Sequence, residues 1–266
     1  MSIDKAVDST QLNTDLTSVA NAIRTKGGTS ASLAFPAGFV QAIGDIPSGG
    51  ISIDDIATNT LPSETIRVNA TTIGQYAFAG KPITKIIAPN ATRMAAYALM
   101  NTLIQNVIPS DFPVLEGSLR GFSDMPELLS IKLTSAVNLN DGSGSIKNAK
   151  KLISAEFPNA QAGQTGTAAM QGCTNLELMD LGNTSKIWTN CFYQCPSLRT
   201  LILRSSSVCA LSKWNQSVMA GIYSNPTAST VYVPSNLIEQ YKVATNWSTA
   251  FGAGLSFVAI EGSAYE

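Results

Sequence analysis

Histidine is missing from all 266 positions of this chain, and its absence bounds the chemistry more tightly than any residue present. Without imidazole, Ser-His-Asp and Cys-His nucleophilic catalysis and the common histidine metal sites are unavailable. Charge is also scarce. Asp, Glu, Lys and Arg make up 13% of the chain, against roughly 25% in ordinary soluble domains. With a net charge of -1 and no run of Lys or Arg, the sequence has no electrostatic footprint for a phosphate backbone or an anionic lipid surface. Nucleic acid is therefore not expected as a partner. No stretch approaches the ~20 consecutive apolar residues of a membrane helix, so no membrane insertion is expected either. The opening segment MSIDKAVDSTQ lacks the charged-then-apolar pattern of a secretion signal, which predicts a product that is not exported by that route.

Cysteine is sparse and confined to one half of the chain: Cys173, Cys191, Cys195 and Cys209. The Cys191-x-x-x-Cys195 spacing does not suit a zinc pair, and a metal site would need all four thiolates from scattered positions. Reduced, buried thiols packing as small hydrophobes are expected, with no metal and no cofactor. What is abundant is apolar residues, 44%, enough for a substantial core, together with Ser, Thr and Asn.

Those apolar residues recur with a period. The pattern L-x-x-I-x-L begins at Ile83, Ile104, Leu128, Leu152, Leu176 and Leu198, at intervals of 21, 24, 24, 24 and 22 residues. The second members are Ile86, Val107, Ile131, Ala155, Met179 and Leu201. Five or six positions before each first member stands an apolar or aromatic residue: Phe78, Leu99, Phe122, Ile146, Met170 and Phe192. Such a period marks stacked coils, each with a short strand whose alternate residues point inward, a turn, and a return arm anchored in the core. Six intervals at the strand spacing predict a parallel sheet roughly 29 Å long. Thr65–Val68 can add a strand at one end and Thr230–Pro234 can close the other.

The repeat does not extend over the whole chain. Residues 1–47 read as a small helical module for attachment or oligomerisation. Leu12, Leu16, Val19 and Ile23 form an apolar stripe, and Phe39 and Ile43 face inward on a second helix after Pro36. A unit this short is expected to complete its core against identical chains or a neighbouring protein, which predicts a homo-oligomer. Residues 48–63 read as a linker, 64–229 as the repeat region and 230–266 as a C-terminal cap. In the cap, Ser235 is expected to start a helix carrying Leu237, Ile238 and Tyr241, with Trp247, Phe251 and Phe257 covering the last apolar coil.

The copies around Tyr76-Ala77-Phe78 and Gly172-Cys173-Thr174-Asn175-Leu176 resemble the BspA-like leucine-rich repeat, and Val231-Tyr232-Val233-Pro234 with Tyr241, Ala244 and Trp247 is similar to that family's terminal element. The resemblance covers about residues 64–260. It implies a mainly β, right-handed leucine-rich-repeat solenoid with a parallel sheet, and a role in adhesion or binding without catalysis. The coils at 115–127 and 138–151 depart from the family's A-F and Cys positions, which predicts bulges or loops there. Separately, Leu16-x-x-Val19-Ala20-x-Ala22-Ile23-Arg24-x-Lys26-Gly27, with Phe35-Pro36-x-Gly38-Phe39-x-x-Ala42-Ile43, resembles the N-terminal segment of tail, baseplate and other virion proteins of phages of Gram-positive bacteria. That resemblance implies a particle-surface protein, assembled in the host cytoplasm, whose partners are other virion proteins and a host-surface glycan or protein.

Alternation along the strands places Ile87, Ile108, Lys132, Glu156, Asp180, Ile202 and Tyr232 in one outward column, the candidate contact face. Lys132 and Glu156 are expected to pair across neighbouring strands. Two alternatives compete with a virion binding protein. A bacterial cell-surface adhesin would share the fold, and a polysaccharide depolymerase would need a carboxylate pair, for which Asp141, Glu156, Glu177 and Asp180 are the candidates. Asp141-Gly142-Ser143-Gly144-Ser145 reads as a turn rather than an ion-binding loop.

Overall fold

A computed structural model describes residues 65–139, 145–161 and 163–266, all within one compact unit, Ile51–Glu266. The first half contains strands β1 (Thr65–Arg67), β2 (Thr72–Ile73), β3 (Lys85–Ile87), β4 (Arg93–Met94), β5 (Asn106–Val107), β6 (Ser130–Lys132) and β7 (Ser154–Glu156). Then come β8 (Gly163–Gln164), β9 (Leu178–Asp180), β10 (Thr184–Ile187), β11 (Thr200–Ile202), β12 (Ala210–Leu211), helix α1 (Gln216–Ser224) and β13 (Thr230–Val233). Helices α2 (Ile238–Val243) and α3 (Trp247–Gly252) and strand β14 (Ser256–Ala259) complete the chain. Every strand pair among the described residues is parallel.

The repeat period becomes a core of aligned columns. Ile83, Ile104, Leu128, Leu152, Leu176 and Leu198 are all buried, as are Ile86, Val107, Ile131, Ala155, Met179 and Leu201. On the main sheet the second column is in register rung by rung: Val107 opposite Ile131, then Ala155, Met179, Leu201, Val231 and Phe257. Where Ala155 is small, the same coil carries Phe157, also fully buried, so the volume lost at one inward position is restored two residues on.

The return arms explain the anchor residues. Phe78, Leu99, Phe122, Ile146, Met170 and Phe192 are buried, and all but Phe122 donate their N–H to the next arm in a second ladder, as Met170 does to Cys191 O at 2.8 Å and Phe192 to Val218 O at 3.1 Å; Phe122 N–H turns back to Leu119 O at 3.0 Å. Two residues after each anchor the chain turns through the left-handed region, at Gly80, Asn101, Asp124, Asn148, Gly172 and Gln194. Gly and Asn enter that region at least cost, which accounts for much of this column's composition. Three residues after the anchor, Cys173 and Cys195 donate their thiols to the carbonyls of Ile146 and Met170, the anchors of the preceding coils, at 2.9 and 3.0 Å. All four cysteines are free and buried, and burial pushes the thiols of Cys191, Cys195 and Cys209 up to about 12.

Three expectations need correction. The sheet is not continuous from the first clear strand: β1 and β3 form their own pair, and the main sheet has seven strands running from β5 to β14. The break coincides with a tight turn, Pro109–Asp111, where the triplet would otherwise continue as strand, and Asp111 takes the Ile108 and Ala88 N–H groups that would have bridged β3 and β5. Asp111 spans the break, its carboxylate accepting from Ile108 N–H at 3.0 Å and from Lys85 Nζ at 3.2 Å, and its carbonyl accepting from Ala88 N–H at 2.7 Å. Secondly, Thr230–Val233 does not end the sheet, because β14 pairs beyond it. Thirdly, Ser235 does not cap a helix with its side chain; Ser235–Leu237 is a tight turn, and the Ser235 N–H bonds Glu261 at 2.9 Å.

The cap itself closes on aromatics. Tyr241, Trp247 and Phe257 have ring centroids 5.4 to 5.8 Å apart. Trp247 Nε1 donates to Cys209 O at 2.6 Å, and the Tyr241 hydroxyl accepts from Cys209 N–H at 2.9 Å. These bonds satisfy backbone groups buried beneath the rings. A third set of strands, β8, β10 and β12, forms a separate small sheet, and β2 pairs with β4.

Candidate functional site

The outward column forms, and half of it is covered. Lys132, Glu156, Asp180, Ile202, Tyr232 and Val258 stand opposite one another on successive strands of the main sheet, whereas Ile87 belongs to the separate pair and faces Arg67 of β1. Ile108 follows β5 directly and is 43% exposed. Lys132 Nζ donates to Glu156 Oε2 at 2.7 Å, the expected cross-strand pair.

Asp180 and Ile202, taken from the sequence as exposed, are fully buried. The reason is the C-terminal tail after β14. Arg204, the next outward residue beyond Ile202, donates from Nε to Asp180 Oδ2 at 2.8 Å and from a terminal nitrogen to Tyr265 O at 2.7 Å. The Tyr265 ring meets Tyr232 edge-on with centroids 4.7 Å apart. The tail thus lies across the last strands of this face. Asp180 Oδ1 also accepts Gly182 N–H at 2.9 Å, so both carboxylate oxygens are engaged. A carboxylate held in this way is a structural ion pair, unsuited to share a reacting glycosidic bond with Glu156. Glu177 is exposed, and Asp141 lies outside the described residues.

A second outward column went unread in the sequence. Thr65 faces Lys85 across β1 and β3, while Asn106, Ser130, Ser154, Leu178, Thr200, Thr230 and Ser256 stand in register on the main sheet. Ser130 Oγ donates to Asn106 Oδ1 at 2.7 Å. Hydroxyl side chains before five of the seven inward apolar positions of the main sheet were the available signal. The uncovered part of the face therefore combines Ile108, the Lys132–Glu156 pair and a row of hydroxyls. It is polar, weakly charged and ridged at the strand spacing. Leu12, Leu16, Val19, Ile23, Phe39 and Ile43, the expected attachment contacts, lie outside the described residues. Among the described residues no group of three or more Cys, Asp and Glu side chains could hold a metal ion, and no helix is long and apolar enough to cross a membrane.

A family profile described as "BspA type Leucine rich repeat region" matches residues 53–140 and 119–214, more than half of the chain, in six copies. The chain belongs to the BspA-type leucine-rich-repeat family. Among curated proteins, none matches. Among solved structures, a leucine-rich repeat protein from Bacteroides ovatus is similar at 19% identity with a TM-score of 0.41, over 74% of this chain. The chain spans 54% of that protein's length. The arm of the coil at 115–127 tightens into a turn at Arg120–Phe122 yet still accepts Leu99 N–H at Gly121 O, 3.0 Å, with Phe122 buried in the anchor position. Part of the 138–151 coil lies outside the described residues.

Proposed function

We propose that this BspA-type chain is a non-enzymatic binding protein on a phage particle, in which residues 1–47 attach to other virion proteins and a right-handed solenoid is presented to a host-surface glycan or protein. The observation that carries the binding reading is the uncovered part of the main sheet, where Ile108, Lys132 and Glu156 flank the hydroxyl row of Ser130 and Ser154. A weakly charged, ridged face suits repeated low-affinity contact, which several copies on one particle convert into avidity. The virion assignment is supported by the N-terminal segment's resemblance to tail and baseplate proteins.

The test is immunogold labelling of particles from lysates of the producing strain, alongside intact cells, with an antibody against the solenoid. Label on the particle surface, lost when residues 1–47 are deleted, supports the assignment. Label on intact cells before lysis and none on particles contradicts it and favours a cell-surface adhesin.

A further inference from the structure

Away from the sheet, helix α1 interrupts the regular stacking of the return arms. Met219 occupies the anchor position of this coil, with non-helical φ and ψ, and Gly221 packs against the backbone of Cys195 and Leu198. Because α1 continues as helix where the preceding coils turn, Gln216, Ala220 and Ser224 stand beside the left-handed turns of those coils and wall a groove. Its volume is ~670 Å3, within the ~300–1,000 Å3 range of small-ligand clefts.

We propose that this groove is a saccharide site, selective for an oligosaccharide that carries a carboxylate. Three observations converge on that ligand class. Tyr193, 39% exposed, lines the groove and offers its aromatic side chain as a platform for the C–H face of a sugar ring. Asn148 Nδ2 is fixed by Asp124 Oδ1 at 2.7 Å, which leaves Asn148 Oδ1 as a positioned acceptor with no partner among the described residues. The exposed amides of Gln194 and Gln216 add paired donors and acceptors of the kind that vicinal hydroxyls match. Gly172 keeps the floor open, since a Cβ there would sit 2.7 Å from Asn148 Oδ1. Lys150 is the groove's one charged lining residue and has no ion-pair partner among the described residues, which gives a carboxylate-bearing sugar the advantage over a neutral one.

This inference rests on the reading of the chain as a binding protein and locates one binding site within it. The test is calorimetric and saturation-transfer titration of the full chain with sialyllactose, tetragalacturonate, lactose and chitotetraose. The acidic probes are expected to bind more tightly than the neutral ones. Tyr193→Ala should weaken all binding at least ~10-fold. Lys150→Ala should remove about a twofold to fivefold preference for acidic probes without changing the neutral ones. Both side chains are exposed, so melting temperatures should not move. Binding by none of the four probes, or undiminished binding by Tyr193→Ala, overturns the groove assignment. If host-envelope preparations still retain Tyr193→Ala and Lys150→Ala fully, the groove falls and the binding reading stands; if they do not retain the unaltered chain, both fall.

Discussion

Replacing Gly221 with Ala sets two physical effects of opposite sign against each other, and the structure decides between them. Gly221 lies in α1, where Ala is favoured over Gly by about 1 kcal/mol on intrinsic helix propensity. An added Cβ, however, would stand 2.6 Å from Cys195 O, 2.6 Å from Leu198 O and 2.7 Å from Leu198 N. All three are backbone atoms of the preceding coil, so the helix must lift away. Overpacking a well-filled core costs about 1–3 kcal/mol, and three backbone contacts place this site at the upper end. A net loss of about 2 kcal/mol corresponds to a fall in Tm of roughly 4–8 °C for a unit of this size. The contrast is Gly252→Ala in α3, where nothing lies within 4 Å of the added carbon. Here propensity acts alone, and Tm should rise by ~1–4 °C. Scanning calorimetry on both variants reads the difference. An unchanged or raised Tm for Gly221→Ala would show that α1 does not stack on the coil of Cys195 and Leu198.

Asp180→Ala should cost about 3 kcal/mol in urea denaturation, because it leaves the Arg204 guanidinium partly buried without its carboxylate; a loss below ~1 kcal/mol would mean that the pair is not desolvated. The same variant should make the tail around Tyr265 sensitive to carboxypeptidase. Lys132→Ala, by contrast, removes an exposed pair and should change stability by less than ~1 kcal/mol. The buried thiols predict a pH dependence. Cys191, Cys195 and Cys209 are raised from 9.0 to about 12 by burial, so the unfolded chain releases protons before the folded one. Their stabilisation is complete below pH 9 and is lost as pH rises towards 12, at up to ~1.4 kcal/mol per thiol per pH unit. Denaturation midpoints from pH 8 to 11 in reducing buffer check this, and a flat profile contradicts it. A thiol reagent at pH 8 should likewise label none of the four until the chain unfolds.

The inward columns were legible because an irregular chain does not restore one apolar triplet every 21 to 24 residues, and the structure places each member where the period puts it. The thiols at Cys173 and Cys195 were legible as packing residues for the same reason. Their bonds to the preceding coil's anchor carbonyls were not, since a period gives position without partner. The break at Pro109–Asp111 was obscured by the strength of the surrounding pattern. The covered end of the outward face was the harder case. Alternation puts Asp180 and Ile202 on the outside of the strand, and only a long-range contact, Arg204 to Tyr265 across 61 residues, buries them. Local periodicity carries no information about a tail that folds back. The groove beside α1 is similar: Asn148, Gly172 and Gln194 share a turn column that the sequence displays, but the helix that walls them departs from the repeat.

The stacked register of the main sheet supports every statement about its faces, and interstrand backbone NOEs in the perdeuterated protein measure it most directly. Contacts should link Ile131 to Ala155, Ala155 to Met179, Met179 to Leu201 and Leu201 to Val231, in parallel orientation. A shift of one residue at any of these rungs would exchange the buried and outward columns and contradict the account.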